Sequence, residues 1–256
     1  MILAYRVSSV CLLTLLLLFV SGCQGNAPRP PAGAAAKSPS NLPPIDPATT
    51  ATISGVVTFQ GAVPKAEQID MSADPACKGD TTWQPIVVDN GRLANVLVYV
   101  KDGLSDRTFA PPTDAVTIDQ RGCRYIPRVA AAMAGQPVEF LDHDPTMHNI
   151  HPMPKNNKEW NQAEQPDGKT VRRIFDNPEV MIPIKCNQHP WMKMYLNVMS
   201  NPFYAVTGPD GTFTLKGLPP GTYTIAAVQE KLGEKTQTIT VAPKEDKQGV
   251  AFSYQY

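Results

Sequence analysis

The segment Cys186-Asn187-Gln188-His189-Pro190-Trp191-Met192 brings three metal-binding side chains together on a short stretch of chain. Cys186 offers a thiolate, His189 an imidazole and Met192 a thioether. Strand-like apolar runs at 180–185 and 194–198 stand on either side, which predicts a tight loop between two strands. Soft donors held on such a loop indicate a transition-metal site.

The four histidines of the chain strengthen this interpretation. His143, His148 and His151 lie close together, and His189 lies in the loop. One imidazole from this group would complete a set of two imidazoles, a thiolate and a weak thioether. That set suits copper cycling between Cu(I) and Cu(II), whereas a thioether is a poor zinc ligand. Because protein groups fill every ligand position, the set favours electron transfer over catalysis at the metal. His143, flanked by two aspartates, is interpreted as a solvated or supporting residue.

Two motifs, in this order, resemble the copper-binding segments of blue copper proteins, the cupredoxins. The first is Thr146-Met147-His148-Asn149-Ile150-His151. The second is the 186–192 loop, whose Cys-x-x-His-x-x-Met spacing is similar to that of amicyanin-like members. The stretch 135–140 looks like the family strand that precedes the first copper histidine. The resemblance covers 113–199 and implies a cupredoxin Greek-key β-sandwich that holds one type 1 (blue) copper.

The resemblance implies a role for each matching residue. His148 corresponds to the first copper histidine, and Cys186, His189 and an axial Met192 complete the ligand set. Met194 is the rival axial ligand, because its distance from the cysteine matches the plastocyanin-like spacing.

Neighbouring residues are expected to support the site. Asn149 matches the family asparagine whose side chain ties the two ligand loops together. His151 matches a second histidine that does not bind copper, and it is also the rival for the first ligand position. Pro190 and Trp191 would form an apolar patch around an exposed His189. In the family, such a patch is where redox partner proteins dock and where the electron leaves.

From residue 51 onward, short β-like runs alternate with turn signals. Their spacing predicts an all-β fold, a sandwich or barrel. The only helical prediction is the short stretch 128–133. The predicted strands are 53–59, 94–100, 115–118, 138–141, 180–185, 194–198, 212–215, 222–228, 236–241 and 250–254.

The stretch 207–225 resembles the carboxypeptidase-regulatory-like, or transthyretin-like, β-sandwich. The resemblance lies in its Asp-Gly-Thr-Phe and Leu-Pro-Pro-Gly-Thr-Tyr elements, but it supplies only the second half of such a domain. Residues 55–57 and 95–100 look like the first half. A discontinuous second sandwich is therefore implied. Its halves are expected at 51–112 and 200–256, with the cupredoxin part at 113–199 between them.

The N-terminal residues are interpreted as an export signal followed by a lipid anchor. The apolar run before residue 21 is too short for a stable membrane span. Val20-Ser21-Gly22-Cys23 resembles the bacterial lipobox, in which Cys23 carries lipid after 1–22 is removed. The Pro- and Ala-rich 23–50 is expected to be an extended tether. We therefore expect a lipoprotein of the periplasm or cell surface, with Gln24 favouring the outer membrane. A buried N-terminal helix is the alternative.

The cysteine count limits the disulfides. Cys11 leaves with the signal and Cys23 is lipidated, so three thiols remain in an oxidising compartment. Three pairings are open, and the thiol with another role should stay free. Cys186 lies in the 186–192 loop, which we call the metal loop. We therefore predict a Cys77–Cys123 disulfide, and the alternative is two buried free thiols.

Charge and motif content limit the function classes. Lys+Arg and Asp+Glu are both 23, so the net charge is zero and nucleic acid is not expected as a partner. No enzyme motif emerges, and four histidines are too few for a multicopper oxidase. The sequence thus predicts a lipid-anchored, non-enzymatic electron carrier with redox partner proteins. The alternatives are a non-redox copper-handling lipoprotein and a scaffold sandwich with a degenerate cupredoxin.

Overall fold

The computed structural model describes residues 42–105, 107–166 and 168–256. The expected signal 1–22, the lipidation site Cys23 and most of the 23–50 tether lie outside the described residues. Within these ranges, no helix has the length and apolarity that crossing a bilayer requires.

The described part of the chain is all-β, as predicted. One 3₁₀ turn, Pro47–Thr49, precedes the strands, and the described ranges contain no α-helix. The strands are β1 Ala51–Gln60, β2 Glu67–Gln68, β3 Thr82–Trp83, β4 Val88–Asp89, β5 Arg92–Leu93, β6 Leu97–Asp102, β7 Val116–Gln120, β8 Tyr125–Ile126, β9 Val129–Met133, β10 Pro137–Asp142, β11 His148–Pro152, β12 Gln162–Glu164, β13 Val171–Ile174, β14 Glu179–Lys185, β15 Lys193–Met199, β16 Tyr204–Val206, β17 Thr212–Leu218, β18 Gly221–Gln229, β19 Gly233–Val241 and β20 Asp246–Gln255.

Strands from both ends of the described chain form one sandwich, which we call the host sandwich (β1, β4–β6 and β16–β20). In its first sheet, β1 pairs antiparallel with β17 and parallel with β20. Its second sheet has the order β16-β6-β18-β19. Side chains from both sheets, such as Ile53, Val98 and Ile225, bury one shared core. The stretches 51–112 and 200–256 therefore pair with each other.

Strands β7 to β15 form a second sandwich, which we call the inserted sandwich. One sheet has the order β13-β10-β7-β8, and the other has the order β12-β11-β14-β15-β9. The alternation of β10, with Val138 and Phe140 buried, shows one face turned to the core. These side chains pack against Ile182 and Ile184 of β14. The Cys186–Met192 loop joins β14 to β15 at one end of this core.

Two features join the sandwiches. The apolar run of β6 is buried on both faces, because Val98 and Val100 point into the host core while Leu97 and Tyr99 meet Met199 of β15. In addition, residues 69–83, which we call the cap segment, pack on the inserted sandwich through buried side chains that include Cys77.

The prediction of a helix over 128–133 is wrong, because Val129–Met133 forms strand β9. Its three alanines suit a helix by intrinsic preference. However, β9 pairs in parallel with β15, and four of its five residues are buried. Gly135 follows in a turn, with a φ of 84° that favours glycine. Pairing with β15 thus outweighs the local preference.

Candidate metal centre

The loop between β14 and β15 folds around the thiol of Cys186. The Cys186 N–H donates to the Met192 carbonyl at 3.2 Å, and the Met192 N–H donates to the His189 carbonyl at 2.9 Å. The His189 N–H points back to the Cys186 sulfur at 3.4 Å. These bonds close a compact turn that holds the thiol inside the protein, where Cys186 is 3% exposed.

Strand β11 brings His148 to the same place. His151 and Pro152 of β11 pair antiparallel with Lys185 and Ile184 of β14, so the start of β11 runs past the end of β14 and lies beside the loop. The N–H of Asn149 donates to the Cys186 sulfur at 3.3 Å.

Three potential ligand atoms converge at this point. The Nδ1 atoms of His148 and His189 are 2.9 Å apart, and the Cys186 sulfur is 3.7 Å from His189 Nδ1. The ligand atoms of the three residues lie within 4.8 Å of one another, and all three side chains are buried. The structure thus brings together three of the four predicted ligands.

A carboxylate holds the outer nitrogen of each imidazole. His148 Nε2 lies 2.9 Å from Asp144 Oδ2, and His189 Nε2 lies 3.0 Å from Asp74 Oδ2. A carboxylate accepts a hydrogen bond, so these contacts place a proton on each Nε2, and in the neutral ring the lone pair is then on Nδ1. Two buried lone pairs and a thiolate facing one another need a positive charge between them. The residues therefore fit a metal cation.

The electrostatics agree with a thiolate site. Burial would raise the pKa of Cys186, but hydrogen bonds from His148 and from the N–H groups of Asn149 and His189 outweigh burial and lower it. Burial likewise opposes a charge on His148, yet its bonds to Asp144 and Cys186 raise the pKa of His148 to about 9. Burial lowers the pKa of His189, which favours the neutral ring. Without metal, one proton thus takes the place of a cation, and metal binding would displace it.

Both candidate axial ligands are fully buried. Met192 and Met194 belong to the same core cluster as Cys186. Met192 lies in the loop and its carbonyl accepts from the Cys186 N–H, whereas Met194 pairs with Ile184 inside the sheet. The choice of Met192 stays a prediction, which its position in the loop favours.

The remaining histidines stand outside the ligand cluster. His143 is exposed and pairs with Asp119 at 2.6 Å. His151 contacts Asn187 of the loop at 3.0 Å and Glu159 at 2.8 Å. His151 thus ties β11 to the metal loop by its side chain.

The tie expected from the Asn149 side chain is made differently. That side chain donates to Asn161 at 3.2 Å, and only the Asn149 backbone N–H reaches Cys186. The β11–β14 register carries Asn149 past the end of β14, where its backbone N–H meets the Cys186 sulfur while its side chain bonds to Asn161, just before β12.

The expected exposure of His189 is wrong. His189 is 4% exposed, because Asp74 of the cap segment covers its Nε2 edge. Trp191 lies against the same ring, with centroids 5.1 Å apart, and is half-buried. Pro190 is exposed. Trp191 and the cap segment therefore cover the His189 ring.

Sequence reasoning missed Asp74 and Asp144. Asp144 stands four residues before His148, and this short spacing could have suggested it. Asp74 is 115 residues from His189, and the only available signal was its nearness to Cys77.

The structure contains a disulfide between Cys77 and Cys123, with Cα atoms 5.4 Å apart. Cys186 is a free, buried thiol. The disulfide fixes the cap segment to the turn before β8. This turn also donates two N–H groups to Asp144, from Gly122 at 2.6 Å and from Cys123 at 2.7 Å.

Solved structures that match part of this chain include a nitrite reductase, a cupredoxin and an amicyanin. A copper-containing nitrite reductase (NirK) from Thermus scotoductus SA-01 is 17% identical, with a TM-score of 0.32, and the match covers 57% of this chain but only 28% of that chain. A purple cupredoxin from Nitrosopumilus maritimus is 21% identical over 33% of this chain and 99% of that chain, with a TM-score of 0.29. Amicyanin from Paracoccus versutus is 18% identical over 40% of this chain and 97% of that chain, with a TM-score of 0.30. No protein-family model and no curated protein matches the sequence. At these TM-scores, the assignment of the metal depends on the chain's own residues.

Proposed function

We propose that this chain is a cupredoxin-type protein that binds one copper ion and carries single electrons between redox partners. His148, Cys186 and His189 would hold the ion, with Met192 as the weak axial ligand. The observation that carries the proposal is the convergence of two imidazole nitrogens and one thiol sulfur in a buried site. Bound copper supplies a one-electron couple between Cu(I) and Cu(II).

The donor set favours copper over other metals. Thiolate and thioether are soft ligands that suit Cu(I), and imidazole suits both oxidation states. Zinc prefers thiolate, imidazole and carboxylate without a thioether. The two aspartates near the site bind the outer imidazole nitrogens, so they support the ligands instead of competing for the ion.

The rigid surroundings favour electron transfer over an enzymatic reaction. The Cys186 sulfur accepts hydrogen bonds from the backbone N–H groups of Asn149, at 3.3 Å, and His189, at 3.4 Å. Because these donors belong to the strand and the loop backbone, the ligands would move little when the ion changes its charge. Protein side chains would fill the coordination shell, so we propose a non-enzymatic carrier.

We further propose that the protein acts outside the cytoplasm, in the periplasm or at the cell surface, anchored by lipid on Cys23. The Cys77–Cys123 disulfide supports this proposal, because structural disulfides persist in oxidising compartments. The anchor would keep the carrier near membrane-bound redox partners.

A second candidate is non-redox copper handling. The observation that favours it is the burial of His189 beneath Asp74. Because His148 is buried as well, neither proposed imidazole ligand is exposed to a partner protein. Rapid electron exchange with a small-molecule oxidant and reductant would favour the carrier. A copper centre that exchanges no electrons with either reagent would favour handling.

Visible absorption of the full chain after Cu(II) loading tests the proposal. We expect an intense visible band from the Cys–copper bond, and we expect Cys186→Ala and His189→Ala to abolish it. His143→Ala is the matched control, because His143 is exposed and outside the cluster, and it should keep the band. A loaded wild-type chain without a visible band would contradict the proposal.

A further inference from the structure

Asp74 is built into the site from outside the sandwich that carries the ligands. Its Oδ2 lies 3.0 Å from His189 Nε2 and also accepts the Thr146 hydroxyl at 2.6 Å. Its Oδ1 accepts the N–H of Ala76 at 2.9 Å. The bonds from Thr146 and Ala76 fix the Asp74 side chain beside the His189 ring.

Asp144 holds the other imidazole in the same way. Its Oδ2 lies 2.9 Å from His148 Nε2. The turn residues Gly122 and Cys123 both have positive φ, 61° and 54°, which lets their two N–H groups converge on this carboxylate. Asp144 therefore has a fixed position and a fixed direction.

The disulfide links the two carboxylates. The Cys77 N–H donates to the Asp74 carbonyl at 3.0 Å, and the Cys123 N–H donates to Asp144 Oδ2 at 2.7 Å. Cys77 and Cys123 are bonded to each other. One covalent bridge thus holds both groups that face the outer nitrogens of the ligand imidazoles.

We propose that Asp74 and Asp144 are positioning residues that turn the Nδ1 atoms of His189 and His148 toward the copper and lower its reduction potential. The inference rests on the proposed copper function. A carboxylate that accepts the Nε2–H fixes the tautomer and makes the imidazole a stronger donor. A stronger donor stabilises Cu(II) more than Cu(I), so the pair of aspartates disfavours reduction.

The test is the reduction potential of copper-loaded Asp74→Asn and Asp144→Asn in the full chain. Asparagine keeps the size and one acceptor oxygen but removes the charge. We expect the visible band to remain and the potential to rise. The expected rise corresponds to roughly a tenfold change in the Cu(I)/Cu(II) ratio, about 59 mV for one electron. Weaker Cu(II) binding, by on the order of tenfold, should accompany it.

Two matched controls separate this effect from a general loss of negative charge. Asp119→Asn removes the carboxylate that pairs with the exposed His143. Asp80→Asn removes a carboxylate of the cap segment that accepts the backbone N–H and the hydroxyl of Thr82. Both controls should leave the potential unchanged.

The outcomes distinguish the two proposals. A band in the wild-type chain with a raised potential in the variants but not in the controls supports the positioning role. A band with unchanged potentials in both variants overturns the positioning role alone. A wild-type chain without a band overturns the copper function and the positioning role together. Because Asp144 is 7% exposed, its variant can fail to fold, and then Asp74→Asn, at a position 23% exposed, decides the question.

Discussion

At the residue scale, the cluster of proposed ligands is held by groups that are not themselves proposed ligands. The two aspartates direct the imidazoles, and backbone N–H groups of Asn149 and His189 stabilise the thiolate of Cys186. All of these donors and acceptors are fixed by strands, by the metal loop or by the disulfide. The protein itself therefore organises the candidate site.

The axial position gives a prediction with a built-in control. Met192→Leu should change the visible spectrum and the reduction potential, because it removes the thioether that lies in the loop. Met194→Leu should leave both unchanged, because Met194 lies in the β14–β15 sheet. Each swap conserves volume and should cost less than about 1.5 kcal/mol of unfolding free energy. The reverse pattern in spectra and potentials would assign the axial role to Met194.

A buried carboxyl on the strand beside β11 gives a pH-dependent prediction. Burial raises the pKa of Glu164 from its ordinary 4.5 to about 6, although Gln120 donates to it. A raised carboxyl pKa means that the fold favours the protonated form. Its stabilising contribution is complete below pH 4.5 and is lost as the pH rises through about 6.

Glu164→Gln should therefore raise the unfolding free energy of the metal-free chain near neutral pH by about 2 kcal/mol and change little near pH 4. The new amide can also donate to Gln120 Oε1, which has no partner among the described residues. Urea denaturation at both pH values measures the effect, with exposed Glu67→Gln as the control. Equal effects at the two pH values would refute the assignment.

The candidate site could be found in the sequence because three of the four proposed ligands share one short loop. Cys186, His189 and Met192 keep their spacing whatever the rest of the chain does. Asp74 was not predictable, because its contact with His189 spans 115 residues and depends on where the cap segment packs.

At the scale of elements, most of the strands were predictable from the sequence, but strand β9 was not. Runs such as Ala51–Gln60 and Gly221–Gln229 carry the apolar alternation and turn signals that predict strands. The alanines of Val129–Met133 carry no such signal, and only pairing with β15 makes them a strand.

The cap segment depends on the disulfide more than on the pairing of its short strand β3 with β2. Cys77 and Cys123 are 46 residues apart, so their bond removes the entropy of a long loop from the unfolded chain. Replacing both cysteines by serine should lower the unfolding free energy by about 4 kcal/mol. Urea denaturation of the metal-free chain measures it, and a loss below about 1 kcal/mol would show that the cap segment is held in another way.

At the scale of the whole molecule, the chain leaves the host sandwich to form the inserted sandwich and then returns. It leaves and returns at neighbouring strands of the host. β6 leads into the insertion and β16 follows it, and these strands pair through Tyr99 and Tyr204. Such close ends allow one domain to be inserted into another without disturbing it. The sequence suggested this arrangement only through two half-domains, 51–112 and 200–256.

The shared cluster around Leu97 and Met199 predicts that both sandwiches unfold together. Calorimetry of the full chain should show one transition. Copper at about 100 times its dissociation constant should stabilise the fold by about 2.7 kcal/mol, which raises the melting temperature by roughly 5–10 °C. His189→Ala should show no such rise with copper. Two transitions, with copper shifting only one, would mean that the sandwiches are energetically independent.

The central claim is that two imidazoles and one thiolate of this chain hold a single copper ion. X-ray absorption at the copper edge of the loaded full chain tests it most directly. We predict one copper per chain with two imidazole nitrogens and one short sulfur contact from Cys186. A shell of nitrogen and oxygen alone, unchanged in Cys186→Ala, would contradict the claim.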